Sequence, residues 1–456
     1  LKDIVLVMSD QHSFEACSLN ERSSLNTTRL KTISETGINY VNAYTNAPLC
    51  VPSRMSFLTG KLPRHTKIFD NDSLLSSDVP TLAHALGARG YKTILVGRMH
   101  FKGIDQWHGF DERLVGDITS QYWGVKRREL YDYANTLKMQ GCQDILGYGY
   151  SPVHDYDEQV YQEALNQLLI EHDQPIFMVV GFYGPHFPYI GYEASYKNYM
   201  EAYNDEHYAS EEALDQYAYL VQATNQDKRR KVKAGYYSMC QELEEKVWQI
   251  YKAFEKRLDK KDGTFVYTSD HGDQLGRRGL FGKKTFYEAS IHIPLLIKPM
   301  NSQEGSVRED AVSLVDLSAT LLNLADAHLP NVDGQDIMTQ PKTKPVIIEQ
   351  MYEKPLRYGQ CIIHDQTKLL KIGRALRMFD SKTDQEISCD APGYKEQYKA
   401  MEPFLLDGRQ LLRQYEKHKR EIDVLKQWGT IKQPKSESMV SFSNKIADKV
   451  RDGGKQ

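Results

Sequence analysis

Short, nearly continuous apolar runs punctuate the chain at Ile4 to Met8, Thr93 to Val96, Ile176 to Val180, Thr264 to Thr268 and Pro294 to Ile297. Strict alternation would mark strands with one wet face. Unbroken runs mark strands covered on both faces, as in a parallel sheet between helical layers. Helical periodicity fills the gaps. The stretch TLAHALGARGYKTILVG predicts a helix ending at Gly90 that feeds a strand, and Tyr236, Cys240, Leu243, Val247, Ile250, Phe254 and Leu258 form a stripe at three- and four-residue spacing. The alternation of elements predicts an α/β fold with a large, mixed but mostly parallel central sheet flanked by helices.

From about 191 to 230 the chain is rich in Tyr and charge and has no strand pattern, which predicts a largely helical insertion over the sheet. Near Thr343 to Pro345 the composition turns polar, in QPKTKPVIIEQMY, dividing the chain into 1–344 and 345–456. In the second unit QCIIHDQTKLLKI and ALRMFDSKTD predict an antiparallel pair, and FLLDGRQLLRQYEKHKREIDVLKQW a closing helix. The unit therefore reads as a smaller α+β subdomain, and the polar tail from Lys432 as a loosely held segment.

The 456 residues suffice for one large domain and a smaller one. Basic and acidic residues nearly cancel to a net charge of -3, so no global field favours nucleic acid or a membrane surface. Any anion must be held by local charges. No run approaches the roughly 18 apolar residues of a membrane span. The first strand opens almost at the start, so no signal peptide is read, although a chain beginning at Leu1 leaves periplasmic or secreted placement open. Cys17, Cys50, Cys142, Cys240, Cys361 and Cys389 form neither a C-x-x-C pair nor an even framework, which favours a reduced, cytoplasmic setting.

Ligands of open α/β sheets bind beyond the carboxyl ends of the strands. There the chain offers SDQH with Asp10 and Gln11, GRMH with Arg98 and His100, GPHFP with His186, and SDHGD with Asp270 and His271. Taken singly, each is better explained as a helix cap or a polar turn. Together they are not. Asp10, Gln11 and Asp270 offer oxygens suited to a hard divalent cation, and His271 adds a nitrogen. Arg54, Arg98 and Lys283 are cations suited to a tetrahedral oxyanion. Metal, cations and histidines together describe hydrolysis of an anionic ester.

The run Cys50-Val51-Pro52-Ser53-Arg54, extended by MSFLTGK, resembles the type I sulfatase signature C-x-P-S-R followed by T-G, within the alkaline phosphatase superfamily. SDQ, GRMHF, GPHFP, SDHGD, GLFGKKTFYE and VDLSATLLNLA follow the family's order, and the likeness runs from Leu1 to about Asp336. It implies an alkaline phosphatase-like fold with a small antiparallel C-terminal lobe. It also implies that Cys50 is oxidised to Cα-formylglycine, whose hydrate is the nucleophile, by a formylglycine-generating or radical maturase enzyme that reads Pro52 and Arg54. A thiol would form a sulfur-linked intermediate with no easy exit, whereas a gem-diol keeps a second hydroxyl in reserve.

By the same resemblance Asp10, Gln11, Asp270, His271 and an oxygen of modified Cys50 hold the metal, Ca²⁺ first and Mg²⁺ or Mn²⁺ as alternatives. His186 and Lys283 bind a sulfate oxygen and protonate the leaving oxygen, His100 is the base, Arg98 clamps sulfate and Arg54 steadies the hydrate. MSFLTG is expected to start the helix beneath Cys50. Arg98 stands where the family usually has Lys. Asp10-Gln11 replaces a double Asp, a variant shared with choline sulfatases, phosphonate monoester hydrolases and some glycan sulfatases.

The expected substrate is a small sulfated saccharide, such as a glycosaminoglycan or mucin fragment taken up by a bacterium. Choline sulfate and phosphonate or phosphodiester esters are the alternatives, and an inactive relative is the reading from another class. IFDND, IDQWHGF with Trp107 and His108, and the Tyr-rich insertion are the candidate specificity loops. Neither a nucleic acid nor a membrane partner is expected, and the oligomeric state stays open.

Overall fold

The computed structural model describes residues 1–118, 143, 145–202, 212–258 and 262–431. One eight-stranded sheet holds Asp3–Asp10 (β1), Ile38–Tyr40 (β2), Lys92–Gly97 (β3), Glu112–Leu114 (β4), Ile176–Pro185 (β5), Gly263–Ser269 (β6), Leu295–Pro299 (β7) and Ser306–Arg308 (β8). Its order is β8-β2-β7-β6-β1-β5-β3-β4, and only β7 runs against its neighbours. Each apolar run of the sequence lies on one of these strands.

The runs are continuous because both faces are covered. On one side Ile4, Leu6 and Met8 of β1 pack with residues of the helices Cys50–Thr59 (α1), Leu82–Ala88 (α2) and Leu314–Leu324 (α5), among them Phe57, Leu86 and Leu317. On the other side Val5 and Val7 face Val160 and Leu243 of the helices Pro152–Leu169 (α3) and Gln226–Leu258 (α4). Full burial of each such side chain contributes about 1.5–3 kcal/mol. The stripe on α4 divides its work. Leu243, Val247, Ile250 and Phe254 bury on the sheet, while Tyr236 and Cys240 pack with Phe187 and Tyr189. The Leu258 side chain lies outside the described residues.

The helix read from TLAHALGARG ends at Ala88, two residues before Gly90, and its Thr81 cap accepts from the His84 backbone. In the segment read as an insertion, a helix Glu193–Ala202 and a 3-10 turn Asp215–Leu220 are described, and residues 203–211 are not. The described helix packs on α4, where the Tyr199 hydroxyl donates to Gln241 Oε1 at 2.9 Å.

Beyond it, Val346–Glu353 (β9), Leu356–His364 (β10), Thr367–Ile372 (β11) and Ala375–Asp380 (β12) form a four-stranded antiparallel sheet, followed by Arg409–Ile431 (α6). Two strands were expected here. QCIIHDQTKLLKI supplies two by itself, through a tight turn with Asp365 at φ 53°, and VIIEQMY supplies a fourth. A turn without Asn-Gly or Asp-Gly carries little local signal. This sheet is fastened beside α1: buried Glu349 accepts from Arg64 N and Nε at 2.8 Å each, and Tyr415 on α6 donates to Asp70 Oδ2 at 2.7 Å. The tail from Lys432 lies outside the described residues. Among those described, no helix is long and apolar enough to cross a membrane.

Candidate active site

The carboxyl ends of β1, β3, β5 and β6 bring the four sequence clusters together around the start of α1. Cys50 is the first residue of that helix, so the helix begins before MSFLTG. The local signal is missing because Leu49, at the cap, offers no side-chain acceptor. The cap comes instead from another loop: Asn71 Oδ1, in IFDND, accepts from Val51 N at 3.0 Å. Pro52 lacks the N–H that a first turn would leave unpaired. Ser53 Oγ donates to the Asp270 carbonyl at 2.6 Å.

Arg54, fully buried, joins the two carboxylates: Nε donates to Asp270 Oδ2 at 2.8 Å and Nη2 to Asp10 Oδ2 at 3.3 Å. Arg98 Nε takes the same Asp10 oxygen at 2.5 Å. The other oxygen of each carboxylate is turned inward. Asp10 Oδ1 lies 3.7 Å from Cys50 Sγ, 3.7 Å from His271 Nε2 and 4.0 Å from Lys283 Nζ, and Asp270 Oδ1 lies 3.6 Å from His271 Nε2. His271 Nδ1–H donates to the Gly272 carbonyl at 3.1 Å, which leaves Nε2 bare toward Cys50 Sγ, 3.2 Å away. Lys283 Nζ donates to Gln11 Oε1 at 2.8 Å and to Cys50 Sγ at 3.1 Å.

Burial by itself opposes the charge on Asp10, but Arg98, His186, Lys283 and Arg54 together hold its carboxyl well below the usual range. Burial lowers His271 to about 4, so its imidazole is neutral. Burial, then Asp10, push the Cys50 thiol up. The ligand atoms of Asp10, Cys50, Asp270 and His271 all lie within 4.8 Å of one another, a candidate metal-binding group.

Arg98 is spent on protein partners: besides Asp10, its Nη1 donates to Asp117 Oδ1 at 2.8 Å and its Nη2 to His100 Nδ1 at 2.8 Å. That contact puts the His100 proton on Nε2. His100 stands at φ 62° with its N–H on Asp117 Oδ2 at 2.7 Å, and burial beside Arg98 drives its pKa well down. Close strand contact makes the turn: a Cβ on Gly181 would stand 1.8 Å from the Arg98 carbonyl. His186 donates from Nδ1 to the Phe187 carbonyl at 2.8 Å and is held neutral by burial and Lys283.

Asp117, Asp273 and Asn71 were not read as site residues. Asp117 follows β4, whose three residues are too short and polar to read as a strand. Asp273 lies inside SDHGD, and only the fold shows that it accepts from Gln11 Nε2. Asn71 sits in a loop read for specificity.

A second cluster, His12, Cys17 and Glu244, lies deeper in the core. Its lone pairs are taken: His12 Nε2–H donates to the Ala16 carbonyl at 2.8 Å, Nδ1 accepts from the Tyr267 hydroxyl at 2.6 Å, and Glu244 accepts from Ser18 N at 2.8 Å. Burial lowers His12 to about 4. The unfolded chain therefore binds a proton between about pH 6.5 and 4 that the folded protein refuses, and stability falls as pH falls through that window. His12 alone is expected to account for about 3 kcal/mol. Urea midpoints at pH 7.5, 5.5 and 4.5 check this, with His12→Gln flattening the slope.

Paired carboxylates whose inner oxygens face a bare imidazole, beside arginines and a lysine at the ends of parallel strands, define a hydrolase of the alkaline phosphatase-like class. Within that class, the Sulfatase family model matches residues 2–327, and the chain belongs to the sulfatase family. It is a sulfate ester hydrolase. A choline-sulfatase of Rhizobium meliloti is 30% identical over 425 residues, 84% of this chain and 80% of that protein. Further curated sulfatases match over 65% and 64% of their length.

Among solved structures, a phosphonate monoester hydrolase of Agrobacterium radiobacter superposes with a TM-score of 0.71 at 19% identity, over 91% of this chain and 96% of that one. A 2-O GAG sulfatase does so with a TM-score of 0.66 at 17% identity, over 92% and 94%. At those identities the structures speak for the fold.

Proposed function

We propose that the protein removes sulfate from a small sulfated saccharide, using a Cα-formylglycine made from Cys50 and a divalent cation, Ca²⁺ in the first instance. The observation that carries this is the surroundings of Cys50. Its sulfur is met by Lys283, His271 and Asp10 while burial and Asp10 hold the thiol protonated, and a protonated thiol is a poor nucleophile. The position suits catalysis once the sulfur is replaced.

The donor set fits a hard cation. Asp10, Asp117, Asp270 and Asp273 outnumber the fixed cations Arg54, Arg98 and Lys283 by one, and Asp10 Oδ1, Asp270 Oδ1, Gln11 Oε1 and His271 Nε2 supply oxygens and one nitrogen. A bound divalent ion would polarise the sulfate ester, and the aldehyde hydrate would supply the attacking hydroxyl. The chain's own residues do the rest. Arg54 keeps both carboxylates aimed, and with Arg98, His186 and Lys283 it holds Asp10 ionised. Lys283 holds a proton beside Cys50 for the leaving oxygen. His186, neutral when empty, gains proton affinity next to an anionic sulfate. His100 presents Nε2–H, and its service as the base requires the Arg98 contact to open.

Polarity beyond Lys283 favours a hydroxyl-rich ligand. Lys284, half-buried, has Glu353, Asp70 and Lys419 as charged neighbours, and Asn71 ties this loop to the helix of Cys50. The likeness to a choline-sulfatase supports a second reading, choline sulfate.

Sulfate release from sulfated disaccharides and from choline sulfate, compared side by side with phenol release from an aryl phosphonate monoester, separates these. The saccharide is expected to lead in kcat/KM by roughly tenfold or more. Peptide mass spectrometry of active native protein should show Cys50 with sulfur lost and an aldehyde oxygen gained. An unmodified thiol there would sink the mechanism.

A further inference from the structure

Gln11 raises a problem that a carboxylate would not. A carboxylate accepts at both oxygens, whereas an amide offers an oxygen on one side and an NH₂ on the other. Turned the wrong way, Gln11 would set its NH₂ against the Lys283 ammonium and against any cation held by Asp10, Asp270 and His271.

The backbone does not decide this. It fixes only where the side chain starts: Gln11 is at φ 73°, its N–H donates to Asp270 Oδ1 at 2.9 Å, and its carbonyl accepts from the Tyr236 hydroxyl at 2.6 Å. The amide is oriented by Asp273. Gln11 Nε2 donates to Asp273 Oδ2 at 2.5 Å, so Oε1 is the atom left for Lys283 Nζ, 2.8 Å away on the side of Cys50.

Asp273 is itself immobilised. Its Oδ1 accepts from the backbone N–H of Leu275 and of Gly282, each at 2.9 Å, and its Oδ2 also accepts from the Tyr189 hydroxyl at 2.5 Å. Each of these partners is a donor, and Gln11 and Asp273 are both buried. Asp273 thus meets Gln11 as an acceptor, and only the NH₂ edge of the amide satisfies it.

We propose that Asp273 is a positioning residue for the metal group, holding the Gln11 oxygen toward it and so setting its affinity; this rests on the metal-binding reading given above. Asp273→Asn should reverse the lock. The asparagine oxygen stays on the Leu275 and Gly282 N–H groups, its NH₂ turns to Gln11, and Gln11 flips its own NH₂ toward the site. The double variant Gln11→Glu/Asp273→Asn restores a donor–acceptor pair of the opposite sense, keeps the total charge, and again leaves an oxygen facing inward.

Calorimetric titration of the full chain with CaCl₂, and in parallel with MnCl₂, tests this without reference to turnover. Asp273→Asn is expected to bind about 10–100-fold more weakly than wild type, the usual cost of losing an outer-shell partner. The double variant is expected to return to within about threefold of wild type. Near-wild-type binding by Asp273→Asn overturns the proposal. So does a loss that the double variant fails to recover, because Asp273 would then act by holding the 275–282 loop. Wild-type protein that binds neither ion overturns the metal reading itself, and the proposal with it.

Discussion

Cys50→Ala is expected to lower kcat for sulfate ester hydrolysis by roughly 10⁴-fold or more, the scale seen when a nucleophile is deleted from a site whose other groups remain. The fold should survive. Removing one buried sulfur from the first turn of α1 leaves the Asn71 cap on Val51 and the Arg54 bridge in place, and costs about 1–2 kcal/mol. Sulfate release in a coupled assay, with circular dichroism of the same sample, checks both halves. Activity within tenfold of wild type would move the chemistry away from Cys50, whatever mass spectrometry shows there.

Arg54→Met is expected to have the largest effect on stability. Arg54 is buried between Asp10 and Asp270, and removing one partner of a buried ion pair costs about 3–5 kcal/mol because the charge left behind is uncompensated. Asp10 keeps Arg98, so the charge left behind is chiefly that of Asp270. That charge must then be met by the cation or by protons, so the melting temperature of the variant should respond to Ca²⁺ against EDTA more steeply than that of wild type. Thermal unfolding in both buffers measures the difference. An equal response would mean that Arg54 contributes packing rather than charge balance. Arg54→Lys should recover only part of the loss, since a single ammonium lacks the fork that reaches both carboxylates.

Both predictions rest on a motif that was legible residue by residue and an arrangement that was not. CVPSR announced the family, yet it did not show that Arg54 grips the outer oxygens of Asp10 and Asp270 and leaves the inner ones turned toward His271. SDHGD placed Asp270 and His271 at a strand end, while the service of Asp273 to Gln11, 262 residues away, appears only when β1 and β6 lie side by side. Arg98 was expected to clamp sulfate; in the folded protein its guanidinium is engaged by Asp10, Asp117 and His100. The C-terminal unit shows the same limit at the level of the fold. The turns at Lys354-Pro355 and Asp365-Gln366 lack the residues that announce a hairpin, so two strands were read where four pair.

The sequence alone determined five of the eight strands of the central sheet, the amphipathic stripe of α4, and which side chains stand at the strand ends. These follow from periodicity, a property of residues close together in the chain. The tertiary structure decided which lone pair of each carboxylate is free, which tautomer His271 and His100 adopt, what caps the helix of Cys50, and which way the Gln11 amide faces. Those are settled by hydrogen bonds between groups distant in sequence, and a donor finds its acceptor only when packing has brought the two together.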